Sequence, residues 1–260
     1  MNRSTSEASP QGRARSRLSL PDRYADTVSP DQVHPGIAPA RLQALANAAL
    51  EADPLRFGRA AERVLAQCRN PEEFLEQAVS GTAMALGAWC SDRRIDVDAV
   101  QTAAQRLEEL VFEVADEHLA KTTAALAPWT ILLARAPGST HTLGSFIAAE
   151  LFNWHGWSVI SGPAMEAERV ARTLALERVD VLGVTVSEDR ELLPVHRLIS
   201  HCRSVSRNSA LIVVVGGTQA FLRKELAKEV NADLVATQVS TARLQLLTLL
   251  QERQAESPPG

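Results

Sequence analysis

The chain has 260 residues, 45% of them hydrophobic, and a formal net charge of −4. That is enough for one large or two modest domains with full cores. The slightly acidic balance gives no electrostatic case for direct, non-specific nucleic-acid binding, which needs a concentrated basic surface. No stretch approaches the ~20 apolar residues of a membrane span, and the three cysteines, Cys68, Cys90 and Cys202, lack CxxC spacing. The cysteine pattern argues for a reducing cytoplasm and against a disulfide framework or a zinc site.

Residues 1–37 are rich in Ser, Arg, Pro, Asp and Gln and hold no sustained period; they are expected to form a disordered arm. The polar, Arg-rich start has no apolar stretch of the kind a secretory signal carries. Arg13, Arg15 and Arg17 either touch a partner or a phosphate, or belong to a solvated tail.

Residues 38–127 read as helices, since Ala, Leu, Glu, Gln and Arg dominate and all are strong helix formers. Asp53-Pro54 and Asn70-Pro71 each pair an N-cap residue with proline at the first helical position, and Asp96 is a third cap. Leu42, Leu45, Ala46 and Ala49 follow the i, i+3, i+4, i+7 rule, as do Val100, Ala103, Ala104 and Leu107. Four helices are expected, near 38–51, 54–68, 71–91 and 97–122. Short connections make neighbours antiparallel, so the expectation is a four-helix bundle.

From residue 128 the rhythm changes to short apolar runs alternating with amphipathic stretches. Strands are expected at 129–135, 157–160, 179–186, 210–215 and 234–236, with helices near 143–155, 163–177, 190–204, 219–230 and 240–253. Alternating βα units with apolar strands give a parallel sheet covered on both faces, here a flavodoxin-like (Rossmann-like) five-stranded sheet over 128–254. Residues 255–260 are expected to be a disordered tail. In such a sheet a ligand sits beyond the carboxyl ends of the strands.

Three loops on that edge carry candidate chemistry. After the first strand comes Ser139-Thr140-His141-Thr142-Leu143-Gly144. A histidine there can ligate cobalt or iron or be a surface or capping residue, and Gly144 lets the next helix start without a side chain in the way. After the third strand, the Thr185 and Ser187 hydroxyls either bind a ligand or cap a helix. After the fourth, Gly216 and Gly217 permit close backbone approach or a tight turn. No GxGxxG fingerprint or P-loop is present.

In order and spacing, these elements resemble the cobalamin-binding domain family, whose pattern is Asp-x-His-x-x-Gly, then Ser-x-Leu, then Gly-Gly. Asn231-Ala232-Asp233-Leu234 is similar to the family's Gly-Ala-Asp turn before the fifth strand. The resemblance implies that His141 is the lower axial ligand of cobalt and that Ser139, Gly144, Thr185, Ser187, Gly216 and Gly217 surround the cofactor. The family aspartate that orients the histidine is Ser139 here, which implies a ligand of adjustable strength, and Ser-x-Leu has become Thr-x-Ser. Leu86-Gly87-Ala88-Trp89 resembles the helical cap of CarH-type light sensors and implies that Trp89 contacts the upper ligand. As a large aromatic on an apolar helix face, Trp89 also reads as core. The Glu-His pair of those sensors is Ala99-Val100 here.

Thr185-Val186-Ser187-Glu188-Asp189, Cys202-Arg203-Ser204 and the 208–217 run resemble the AerR/PpaA antirepressors of photosynthesis genes. That resemblance implies a cytoplasmic, non-enzymatic photoreceptor carrying adenosyl-, methyl- or hydroxo-cobalamin. It would act on a repressor of the CrtJ/PpsR type without binding DNA. Two other readings share the layout: a corrinoid methyl carrier of a methyltransferase system, and a heme-binding redox sensor for which His118, His155, His196 and His201 are further candidate ligands.

Overall fold

The computed structural model describes residues 37–121, 126–162 and 166–256. The arm expected before residue 37 and the last four residues lie outside this range.

Helices open the chain: α1 (Pro39–Leu50), α2 (Pro54–Leu65), α3 (Pro71–Glu73), a π-helical stretch at Phe74–Val79, α4 (Ser80–Ser91) and α5 (Val97–Lys121). The caps read from sequence are in place. Asp53 accepts from the Leu55 N–H at 2.9 Å, Asn70 from the Glu73 N–H at 2.8 Å and Asp96 from the Ala99 N–H at 2.7 Å, each relieving a helix-start donor that lacks an intrahelical partner.

The helix expected at 71–91 is one run with a π-helical middle. That stretch shifts the phase of the buried set Phe74, Leu75, Ala78 and Val79, and a 3.6-residue period cannot represent it. The wider register also places Glu76, whose carboxylate accepts from the Ser240 N–H at 2.7 Å and the Ser240 hydroxyl at 2.6 Å. Ser240 stands in the first turn of the last helix, so a side chain of the helical unit caps an element of the sheet unit.

The second half is β1 (Thr130–Arg135), α6 (Leu143–Trp154), β2 (Ser158–Ile160), α7 (Ala167–Leu176), β3 (Val181–Thr185), α8 (Leu192–Val205), β4 (Ile212–Gly216), α9 (Thr218–Leu222), α10 (Leu226–Val230), β5 (Leu234–Val235) and α11 (Val239–Glu256). The five strands are all parallel in the order β2-β1-β3-β4-β5. β1, β3 and β4 are buried along most of their length, as expected of strands covered on both faces. One face packs on Val170 and Leu174 of α7 and Val195, Ile199 and Cys202 of α8. The other packs on Phe152 of α6 and Leu246 and Leu250 of α11.

Two expectations shift. The helix foreseen at 219–230 is split at Arg223, whose backbone is extended at φ −120° and ψ 111°. Its guanidinium bridges Asp189 at 3.1 Å and Glu229 at 3.0 Å, a tertiary tie that no local pattern announces. The last helix runs to Glu256, two residues into the expected tail.

α6 joins the two halves. Its sequence is apolar nearly all round, which marks a helix buried on more than one side. Ala149 and Phe152 face the sheet, while Ile147, Leu151 and Trp154 enter the core of the helical unit. His118 of α5 stacks on Trp154 with ring centroids 4.1 Å apart, and His155 Nε2 lies 3.2 Å from Glu72.

Candidate functional site

The strand register sets the site. Arg135 pairs with Thr185, and Thr185 with Gly216, so the ends of β1, β3 and β4 stand side by side. α6 leaves β1 toward one face and α8 leaves β3 toward the other. The gap between β1 and β3 is therefore the topological switch point where ligands of such sheets bind.

The loop after β1 begins with a turn through Pro137 and Gly138, closed by the Ser139 N–H donating to the Ala136 carbonyl at 3.0 Å. Gly138 has φ +79°, the positive value such a turn needs at its third residue. The turn lifts His141 clear of the body, with its side chain 54% exposed. Ser139 does not touch the imidazole: its hydroxyl accepts a long 3.4 Å bond from the His141 backbone N–H. Next along the chain, the Thr142 hydroxyl donates to the Glu108 carboxylate of α5. Gly144 is exposed, and a Cβ there would meet only Thr185 Cγ2 at 3.9 Å.

The loop after β3 supplies a group that the sequence reading left without a role. Glu188 Oε1 lies 3.1 Å from His141 Nε2. Arg190 holds the same carboxylate, at 3.0 Å to Oε1 and 2.6 Å to Oε2. The imidazole first, then Arg190, hold the Glu188 carboxyl below the usual glutamate range. Glu188 and Glu191 form a capping box. Glu191 is buried, and its Oε2 accepts from the Ser187 and Glu188 N–H groups at 2.6 and 3.1 Å. The E-x-x-E spacing is the readable trace of that box, but Glu is not among the favoured N-cap residues. The Thr185 and Ser187 side chains are half-buried on the same edge.

The loop after β4 is closed. Gly217 has φ +95°, and a Cβ there would stand 2.6 Å from the Val186 carbonyl oxygen. The Gln219 N–H donates to that same carbonyl at 3.1 Å. Gly217 is thus required for packing against the end of β3. A Cβ on Gly216 would come within 3.3 Å of the Ala236 carbonyl oxygen. The close approach expected at the glycine pair is made by backbone of this chain.

Trp89 belongs to the helical unit. It is 9% exposed in the core of the helical unit, with the Arg94 guanidinium 4.9 Å from its ring centroid. This is the environment of a core aromatic. The aromatic that α5 extends toward the α6 start is Phe112, 46% exposed and in edge contact with Phe146 at 5.4 Å.

Beside the histidine loop a shallow cleft of about 20 Å³, partly open to solvent, is lined by Leu133, Arg135, Thr142, Ser145, Phe146 and Ser161 among others. That is far below the ~300 Å³ of a closed small-ligand pocket. The donor set on this open edge, a reachable imidazole, hydroxyls and a guanidinium, fits a metal-bearing macrocycle. Thiol nucleophiles fit less well, since burial pushes the Cys68 and Cys202 thiols up to about 12 and about 11. No group of three or more His, Cys, Asp and Glu able to hold a metal ion occurs among the described residues. No helix among them is long and apolar enough to cross a membrane.

Residues 129–248 match the family model of the B12 binding domain, so this part of the chain is similar to cobalamin-binding domains. Over 170 residues the chain is 29% identical to the "Uncharacterized 20.5 kDa protein in bchF-crtJ intergenic region" of Rhodobacter capsulatus, covering 65% of this chain and 88% of that one. Among solved structures, it is similar to the monomethylamine corrinoid protein of Methanosarcina barkeri, with a TM-score of 0.61 and 14% identity over 80% of this chain and 96% of that one. A cobalamin-binding protein of Desulfitobacterium hafniense DCB-2 aligns with a TM-score of 0.44 and 15% identity over 81% of this chain and 97% of that one. The fold, helices followed by a five-stranded all-parallel sheet, is that of corrinoid proteins.

Proposed function

We propose that this protein is a non-enzymatic, cobalamin-dependent sensor that controls transcription through contact with a repressor of the CrtJ/PpsR type. The observation that carries the reading is the exposed His141 imidazole at the β1/β3 switch point of a B12-binding domain. Cobalamin bound here would supply a cobalt centre that exchanges ligands with light or with solution species. His141 would hold the cobalt, and Thr185, Ser187, Arg135 and Ser145 would meet polar groups of the cofactor.

The route out of the site uses contacts already in place. His141 is followed by Thr142, which bonds Glu108 of α5, and α6 is packed on the sheet on one side and in the helical core on the other. A shift of the histidine loop is passed to the helical unit and from there to a protein surface. The small acidic net charge supports regulation without DNA contact. The name of the Rhodobacter relative places it in the bchF–crtJ intergenic region, which supports a photosynthesis-gene setting and a repressor of that type as partner.

The test is an absorption spectrum of the purified protein, dark and illuminated, with cofactor extraction and binding to the repressor in both states. A retained corrinoid whose spectrum and repressor affinity change with light supports the proposal. Absence of any retained corrinoid defeats it, a Soret band assigns heme instead, and methyl transfer to cobalt with a partner methyltransferase assigns a carrier.

A further inference from the structure

His141 is not idle in the cofactor-free protein. A metal needs the lone pair of an imidazole nitrogen, and Nε2 is the accessible one because Nδ1 is crowded by its own Cβ. Nε2 is the nitrogen that Glu188 holds, at 3.1 Å. We propose that Glu188 is a gate on the ligand histidine, competing with cobalt for Nε2 and so setting how much of a bound corrinoid is ligated by the protein. The proposal rests on the corrinoid reading above.

The two partners are unequally anchored. Glu188 is fixed by Arg190 at 2.6 and 3.0 Å and by its capping box with the buried Glu191. His141 stands on a loop that turns at Gly138, its own backbone N–H held by a long 3.4 Å bond to the Ser139 hydroxyl. The carboxylate is therefore the fixed post and the imidazole the moving arm. For coordination the Nε2–H bond to Glu188 breaks, and the neutral ring carries its single proton on Nδ1 instead. The carboxylate missing at Ser139 has a counterpart at Glu188, placed against the nitrogen that must be freed. A His-ligated state is reached only when cobalt outbids this pair, which makes the ligand displaceable without weakening the imidazole itself.

The experiment uses the full chain and cobinamide, a corrinoid lacking its own nucleotide base, so that any nitrogen ligand in the spectrum comes from the protein. Wild type, Glu188→Ala, Glu188→Gln, His141→Ala and the Glu188→Ala/His141→Ala double variant are titrated by absorption. Imidazole ¹⁵N shifts of the cofactor-free wild type and Glu188→Ala are recorded alongside. An exposed ion pair is worth up to about 1 kcal/mol, so Glu188→Ala is expected to bind cobinamide about two- to fivefold more tightly. It should show a larger nitrogen-ligated fraction, with no gain in the His141→Ala background. The ¹⁵N shift of Nε2 should move on Glu188→Ala. Equal affinity and spectra in wild type and Glu188→Ala overturn the gate and leave the corrinoid reading standing. A lower nitrogen-ligated fraction in Glu188→Ala also overturns it, making Glu188 a support. If no protein retains cobinamide while the ¹⁵N shift still moves, the corrinoid reading fails, and the gate fails with it.

Discussion

The loops after β4 and after β1 leave the same edge of one sheet, yet the first is closed on protein and the second is open. Gly217 packs its backbone against Val186 so closely that a Cβ would stand 2.6 Å from a carbonyl oxygen. At the opposite, amino-terminal end of β4, Asp233 closes the sheet as well: it accepts from the Val213 N–H at 2.7 Å and pairs with Arg203 and Arg253 at 2.8 and 3.1 Å. On the open side, His141 and Glu188 meet across exposed loops. The closed side is architecture and the open side is where chemistry can change without loss of the fold.

Substitutions should separate the two sides. Gly217→Val is expected to have the largest effect, lowering the unfolding free energy by about 3 kcal/mol through backbone strain and overlap with Val186. Denaturant titration checks this, and the loss should be the same with and without corrinoid. Asp233→Ala should cost roughly 2 kcal/mol, since it strands the Val213 N–H and removes the carboxylate that Arg203 and Arg253 share.

The pH response of two carboxylates gives the next distinction. Burial works against ionisation of Asp233, but the Val213 N–H, Arg203 and Arg253 together hold its carboxyl below the usual range. Its contribution is therefore full above the ordinary aspartate pKa and is lost as pH falls through the depressed folded value. Glu76 is opposite in sign: burial pushes its carboxyl up, against the Ser240 bonds that pull it down. The folded state then binds the extra proton, so this site gains stability as pH falls through the raised value. Wild type should lose stability in acid less steeply than Glu76→Gln, and Asp233→Ala less steeply than wild type. Denaturation midpoints between neutral and acid pH check both slopes. The smallest effect is at His141→Ala, which should leave unfolding free energy within about 0.5 kcal/mol while altering the corrinoid spectrum.

The same contrast governs what could be read from sequence. The strands, the helices between them and the covered faces followed from apolar runs and amphipathic stretches, because burial on both faces leaves a continuous signal. His141 stood out because its loop has spacing. What remained hidden is tertiary. The π-helical phase shift at Phe74–Val79, the break at Arg223 and the Glu76–Ser240 cap depend on partners far along the chain. Glu188 was visible only as one acidic residue after Ser187, since nothing in a sequence says which loop faces which. Gly216 and Gly217 read as a ligand cradle or a turn, and the close approach the structure shows is to the backbone of Val186 and Ala236. Trp89 read as cap or core, and the structure buries it beneath Arg94 among the apolar residues of the helical unit.

The central claim is that this open edge holds a corrinoid through His141. The direct measurement is the absorption spectrum of wild-type protein and of His141→Ala, each saturated with the same cobalamin. The account predicts a protein-nitrogen-ligated spectrum in wild type and a shift to a water- or own-base-ligated spectrum in the variant, with both proteins equally folded. Superimposable spectra would contradict it.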